Sequence, residues 1–299
     1  MRYYSFNNYL KDKYGTRVHR LGLNAGFTCP NKDGYLGTDG CIFCNEKGFS
    51  QFAENNIDLR EQIESSIAFA GDRFKARKFI AYFQNATNTY APASELKKTY
   101  DAIRDFPDII GLFISTRPDC INTEKLDLIE NYADNYEVWV EYGLQTVHDK
   151  TLNLIKRGHS VSQSLEAVKK TAERGVRVGA HVILGLPGES GKEMVETARE
   201  ISKLPVSGVK LHVLHVLKNT ELEKLYSRGK VELLTQDEYV SIACDFIENL
   251  RPTCVILRLV SDAREEVLVA PKWINNKPGV ISGVERELEV RGTCQGIRV

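Results

Sequence analysis

Short apolar runs alternate with amphipathic stretches along most of the chain. The runs are VHRLGL (18–23), FIAYF (79–83), IIGLFIS (109–115), EVWVEYGLQ (137–145), RVGAHVILG (177–185), GVKLHVLHV (208–216) and CVILRLV (254–260). Each is short and rich in β-branched residues, so it reads as a buried strand. Between them, apolar positions recur at helical spacing: Leu59, Ile63, Ile67 and Ala70; Leu96, Tyr100 and Ile103; Val161, Leu165, Val168 and Ala172; Met194, Ala198 and Ile201. Thr123 and Thr235 precede such segments as N-caps. Only Thr235, with Glu238 three residues on, completes a capping box.

Strand–helix alternation predicts an α/β fold with a parallel sheet and helical crossovers. Six βα units suit a wound sheet or an incomplete barrel better than a full eight-unit barrel. In either case ligands gather at the C-terminal ends of the strands. No internal repeat, low-complexity segment or long linker interrupts the pattern. It divides into an N-terminal extension (1–17), a core (18–260) and a C-terminal extension (261–299) that breaks the alternation.

Composition narrows the class only a little. With 40 basic and 40 acidic residues and 42 % apolar content, the chain is ordinary globular material, and a wholly nucleic-acid-coating surface is disfavoured. No apolar run of about 18 residues and no leader pattern occur, so a soluble, cytoplasmic protein with no membrane partner is expected. Seven cysteines are an odd number in a chain too large to need staples. In a reducing compartment they read as metal ligands or buried thiols. Cys29, Cys41 and Cys44 cluster; Cys120, Cys244, Cys254 and Cys294 are scattered.

The clustered three lie in GFTCPNKDGYLGTDGCIFCNEKG (26–48), spaced C-x11-C-x2-C, just after the first strand. Glycines at 26, 34, 37, 40 and 48 let such a loop curl around something compact. Structural zinc requires a fourth ligand, with His19 or Asp39 as candidates; unrelated free thiols are a further reading. An iron–sulfur cubane takes one thiolate per iron, so three cysteines leave one iron open. An open coordination position is a place for substrate or cofactor.

At this point the residues resemble the radical S-adenosylmethionine (SAM) superfamily. Its usual spacing is C-x3-C-x2-C. The eleven-residue gap departs from that and is similar to the branch holding the Elongator catalytic subunit and the YhcC/YtqA group. The resemblance implies a partial (βα)6 TIM-like barrel with N- and C-terminal extensions. It further implies a 4Fe-4S cluster on Cys29, Cys41 and Cys44, with SAM chelating the open iron and Phe43 beside the adenine. In YFQNATNTYAP (82–92) it assigns Gln84, Asn85 and Thr87 to the SAM amino group, and in ISTRPDC (114–120) it places Ser115 near the ribose. In EYGLQTVHDKTLNLIKRGHS (141–160), Gln145 and Arg157 would hold the SAM carboxylate, which a guanidinium fork pairs bidentately. In AHVILGLPGES (180–190), His181 would face the ribose and Gly185 the adenine. Read without the resemblance, these are polar strand ends, a turn fixed by Arg-Pro, a surface arginine and a core histidine. Glu141 is buried by pattern and therefore needs a partner.

The implied reaction is reductive cleavage of SAM to a 5′-deoxyadenosyl radical, with flavodoxin or ferredoxin as the reductant. The Elongator resemblance points to tRNA modification at the 5-substituent of a wobble uridine. No acetyltransferase segment like Elongator's is found, so the same overall reaction is not implied. No second cysteine cluster is present, which argues against donation of sulfur. Two other readings stand: a small metabolite or tetrapyrrole-like precursor as substrate, and a non-catalytic zinc module that grips RNA or protein. In VKLHVLHVLKNTEL (209–222), Lys210, His212 and His215 point either into the site or into the core. Residues 1–20 hold five basic residues, one acid and four tyrosines. That stretch either contacts RNA through phosphate and base stacking or plugs the bottom of the barrel. Lys272, Trp273 and Lys277 extend such a patch or simply pack.

Overall fold

The computed structural model describes residues 2–45 and 57–299; Gly48 of the cysteine stretch lies outside them. The chain runs α1 (Phe6–Tyr14), β1 (Val18–Leu23), α2 (Leu59–Phe74), β2 (Lys78–Phe83), α3 (Ala93–Asp101), β3 (Ile109–Thr116), α4 (Thr123–Glu130) and β4 (Glu137–Gln145). It continues through α5 (Asp149–Leu154), α6 (Val161–Ala172), β5 (Arg177–Leu184), α7 (Gly191–Lys203), β6 (Gly208–Val213), β7 (Val216–Leu217), α8 (Glu221–Ser227), α9 (Gln236–Glu248), β8 (Val255–Arg258), β9 (Leu268–Ala270) and α10 (Lys277–Val290). Seven strands form one all-parallel sheet in the order β1-β2-β3-β4-β5-β6-β8. The sheet curls into the expected incomplete barrel, with β1 and β8 as its two edges.

The helical periodicities reappear as buried faces. Ile63 and Ala70, Leu96 and Tyr100, Val168, and Met194, Ala198 and Ile201 all pack into the main core. Thr235 caps α9 as expected: its hydroxyl accepts from the Glu238 amide (3.3 Å), and the Glu238 carboxylate accepts from the Thr235 amide (2.8 Å). At α4 the cap is Asn122, whose side-chain oxygen accepts from Lys125 N (3.0 Å), and Thr123 is already helical. Asparagine ranks at or above threonine as a cap, so the boundary moves by one residue. The run 208–216 also divides. β6 ends at Val213, and β7 leaves the sheet to pair antiparallel with β9.

The N-terminal extension closes the barrel floor. Ser5 bridges to Ile256, and α1 touches both edge strands. Phe6, Tyr9 and Leu10 are buried against Ile80, Phe113, Trp139, Val255 and Leu257. Glu137 collects Trp139 Nε1 (2.8 Å), Arg177 Nε (2.9 Å), the Tyr9 hydroxyl and Lys13. Burial alone would raise its carboxyl, but Lys13, Tyr9 and Trp139 outweigh that and hold it below its usual range. The aromatic side chains of this segment are thus largely committed to packing, as in the plug reading. Tyr9→Phe deletes one charge-assisted hydrogen bond and should cost about 1–2 kcal/mol; an unchanged urea midpoint would contradict the clamp.

At the other end, Val280, Val284 and Leu288 of α10 enter the main core beside α9. Trp273 packs on Tyr239 (5.4 Å between rings) and donates to Leu234 O. Lys277 pairs with Asp262 at 2.5 Å. Trp273 thus packs, whereas Lys272 is exposed with its Nζ on Leu268 O (2.5 Å), and the half-exposed Lys277 is neutralised by Asp262. No helix among the described residues is long and apolar enough to cross a membrane.

Candidate active site

Odd-numbered positions of β4 and the matching positions of its neighbours face the barrel interior. They form three levels: a floor on α1 that is aromatic and aliphatic apart from Glu137, a charged middle and a polar mouth. A cavity of about 350 Å³ opens at the mouth, lined by Tyr82, Gln84, Ser115, Gln145, His181 and Lys210, with Phe43 and Arg258 among the others. Its position matches the strand ends where ligands were expected.

The cysteine loop lies beside this mouth. Short-range backbone bonds shape it: Lys32 N to Cys29 O, Cys44 N to Cys41 O and Gly40 N to Asn31 O, all 2.8–2.9 Å. Its long first gap serves to anchor it. Asn31 Nδ2 donates to Lys156 O (2.9 Å) and Arg157 O (3.0 Å), and the Ile42 amide to Ile155 O (3.2 Å). Gly158, at φ +78°, leaves room for that approach, because a Cβ there would sit 2.5 Å from Asn31 Oδ1. All three thiols are free of disulfides, with Cys41 buried and the others half-buried. Burial raises the Cys44 thiol; Lys32 opposes this, while Cys41 and Cys29 add to it.

Arg157 joins the loop to the sheet. Its guanidinium donates to Gly143 O (2.8 and 3.2 Å) and reaches Cys41 Sγ at 3.6 Å. Gly143 is the residue that permits this, since a Cβ would meet Arg157 Nη2 at 2.3 Å. Arg117, unassigned beyond a turn, braces the arrangement from behind. It grips Asp119 bidentately (2.8 and 2.9 Å) and donates to Arg157 O (2.8 Å). Cys120, scattered in the sequence, comes within electrostatic reach of Cys29.

Of the expected cofactor-binding residues, Phe43, Gln84, Ser115, Gln145 and His181 line the cavity together. Gln145 is held at φ 70°, an unfavourable conformation for a non-glycine residue, which aims its amide from the end of β4. Arg157, Asn85, Thr87 and Gly185 do not line it. Thr87 is buried beside the loop, its amide bonded to Thr28 O (3.2 Å) and its hydroxyl without a partner. Asn85 offers its carbonyl to Asn88, and the Gly185 amide meets Met194 Sδ (3.1 Å) behind β5.

The charged middle level was read in part: Glu141, Lys210 and His181 were singled out in the sequence, and Tyr82 and Arg20 were not. Glu141 is fully buried, and its Oε2 accepts from Tyr82 Oη (2.8 Å), His181 Nε2 (2.6 Å) and Lys210 Nζ (2.6 Å). Lys210 also donates to the Tyr82 hydroxyl. The Arg20 guanidinium stacks over Phe6 (4.7 Å) and Tyr82 (5.8 Å). Burial opposes ionisation of Glu141, yet Lys210, His181 and Arg20 keep its carboxyl well below the usual range. Burial lowers Lys210 to about 7, with Arg258 and Arg20 adding and Glu141 opposing. It lowers His181 to about 4, helped by Lys210, so that imidazole is neutral near pH 7 and donates through Nε2. The strand alternation pointed to Lys210 and His212; Arg20 and Arg258 could have been found the same way, as lone cations inside apolar strands.

Tested against the readings of the cysteine loop, His19 stacks on Phe74 (4.6 Å) on the outer side of β1, and so is not placed as a zinc ligand. Among the described residues, no three His, Cys, Asp or Glu side chains converge on a single ion. A cubane places its thiolates on separate irons, so convergence on one point is not its requirement. The donor set fits such a cluster: three thiols on one loop, N–H groups of Asn31 and Arg157 directed at Cys41 Sγ (3.6 Å each), and an unpartnered Thr87 hydroxyl nearby.

Comparison with known proteins agrees with this chemistry. Residues 29–201 match the radical SAM superfamily, and residues 206–290 match the radical SAM C-terminal domain. YtqA of Bacillus subtilis is 39 % identical over 296 residues, 99 % of this chain and 92 % of that protein. A tRNA uridine(34) acetyltransferase of Methanocaldococcus infernus is 30 % identical over 193 residues, 63 % of this chain but 31 % of that protein. Among solved structures, archaeal Elp3 of M. infernus with an N-terminal deletion superposes with a TM-score of 0.73 at 19 % identity, covering 94 % of this chain and 64 % of that one. That last likeness concerns the fold. On the family match and the near full-length relatives, the chain belongs to the radical SAM superfamily, whose members use a 4Fe-4S cluster and S-adenosylmethionine, and it sits there with the YtqA and YhcC group.

Proposed function

We propose that Cys29, Cys41 and Cys44 hold the cluster, that SAM binds across the mouth, and that the enzyme modifies the 5-substituent of a tRNA wobble uridine. When bound, the cluster and SAM supply a carbon radical by one-electron cleavage, a chemistry that belongs to the cofactor. The chain's share is orientation. Gln84, Ser115 and Gln145 offer neutral hydrogen-bonding groups from three adjacent strand ends, Phe43 an aromatic face, and Arg157 a cation beside Cys41. The observation that carries the reading is the Arg157 bridge, which ties the cysteine loop to the end of β4 where the cavity opens.

The tRNA substrate rests on the similarity to the tRNA uridine(34) acetyltransferase. Deletion of the gene should remove or alter one modified uridine nucleoside in digests of bulk tRNA, read by mass spectrometry. An unchanged profile would overturn the tRNA assignment and leave a small metabolite as substrate. Flavodoxin or ferredoxin is the reductant assigned to the reaction.

A further inference from the structure

The cavity has two chemically different halves. From β2 to β5 it is lined by neutral groups, Gln84, Ser115, Gln145 and the uncharged His181, where the SAM contacts are assigned. From β6 to the segment after β8 it is lined by basic side chains: Lys210 in the depth, Arg258 midway and Arg264 at the rim. His212 and His215 lie on the same side. Asp262 is the acidic residue among the lining side chains, and Lys277 holds it at 2.5 Å. Below the cavity, Glu141 is shared by Lys210, His181 and Tyr82, and Arg20 adds a further cation.

Positive charge here exceeds what the protein neutralises. Arg258, with its side chain 29 % exposed, reaches Asp262 at 3.7 Å, too long for a hydrogen bond. Arg264 makes no ion pair among the described residues, and the buried Nε2 of His212 has no partner. A cleft with low-dielectric walls and one sign of charge concentrates ions of the other sign. Nothing assigned to SAM uses these groups, since its carboxylate is given to Arg157 and Gln145. We propose that the β6–β8 half of the cavity binds an oxyanion of the substrate, a carboxylate or a phosphate, held by Arg258 and Lys210 and admitted past Arg264. This rests on reading the mouth as the place where SAM and substrate meet; it is independent of tRNA being the substrate.

The test is titration calorimetry of the full chain at low ionic strength with inorganic phosphate and, separately, with acetate. At least one should bind with a dissociation constant on the order of 1 mM, as expected for two charge-assisted contacts. Phosphate alone or acetate alone identifies the oxyanion, and either upholds the site. Arg258→Met should weaken binding roughly tenfold, the loss of one such contact. Arg264→Gln should weaken it less, by an amount that shrinks as salt is added. Both side chains reach solvent, so the variants should fold, which circular dichroism verifies. Binding of neither anion, or equal affinity in Arg258→Met, overturns the proposal. So does stoichiometric displacement of the anion by SAM, which would make this the site of SAM's own carboxylate. SAM cleavage by the wild-type protein is measured alongside. Cleavage without anion binding overturns the oxyanion site alone; anion binding without cleavage keeps the site and removes the chemistry proposed above.

Discussion

Cys41→Ala should yield a folded protein that, after anaerobic purification, lacks the visible absorption, iron and sulfide of a cluster and makes 5′-deoxyadenosine only at background. The loss should exceed about 100-fold, because removing even a partner one shell out from a metal ligand costs about 10–100-fold. Cys41 is the most telling of the three positions. It is 6 % exposed, and its sulfur receives the N–H groups of both Asn31 and Arg157. The fold should survive, since the loop is held by the Ile42 amide on Ile155 O, Gly40 on Asn31 O and the Asn31 side chain on residues 156 and 157, none of which needs the thiol. Cys120→Ala is the matched control: a nearby buried thiol whose loss should leave iron and sulfide unchanged. One zinc and no sulfide in the wild-type protein would sink the assignment, as would undiminished cleavage by Cys41→Ala.

The strands were legible because each is a short, largely apolar run set between helical patterns; β1 and β4 were delimited to the residue, although β1, at the sheet edge, is only partly buried. The split of 208–216 was not, since a strand leaving its sheet three residues early depends on where β9 arrives to pair with it. The mouth was half legible. Gln84, Ser115 and Gln145 stand at strand ends, where alternation fixes which way they face. Arg157 follows a loop, and only the structure places its guanidinium between Gly143 and Cys41. Cys120 is 76 residues beyond Cys44, so its closeness to Cys29 depends on β3 lying two strands from β1. The N-terminal aromatics carried no local signal to separate stacking on bases from packing on Trp139. Their burial depends on the open gap between β1 and β8 that α1 fills.

Glu141→Ala should cost about 3–5 kcal/mol of stability, the range for removing one partner of a buried ionic group. The carboxylate is fully buried and takes three hydrogen bonds, so its loss leaves Lys210 and Arg20 facing each other's charge without an anion and strands the Tyr82 hydroxyl and His181 N–H. The double variant Glu141→Leu with Lys210→Met should be less damaged than the sum of the two single changes, because it removes both charges together. Additive costs would show that the two do not act as a pair. Lys210 also gives the protein a pH dependence of defined sign. With its folded value lowered to about 7 from 10.5, the folded state carries fewer protons than the unfolded state between those limits. Stability must therefore rise with pH across that window and be lost as pH falls through about 7. Glu141, depressed in the folded state, adds stability that is present above the ordinary carboxylate range and lost only in stronger acid. Subtracting the urea-unfolding profile of Lys210→Met from that of the wild type isolates the lysine's share, since other titrating groups are common to both. The difference should slope upward between pH 7 and 10.5. A flat difference would mean that Lys210 keeps its full charge in the barrel at no cost, and that Glu141 alone neutralises it.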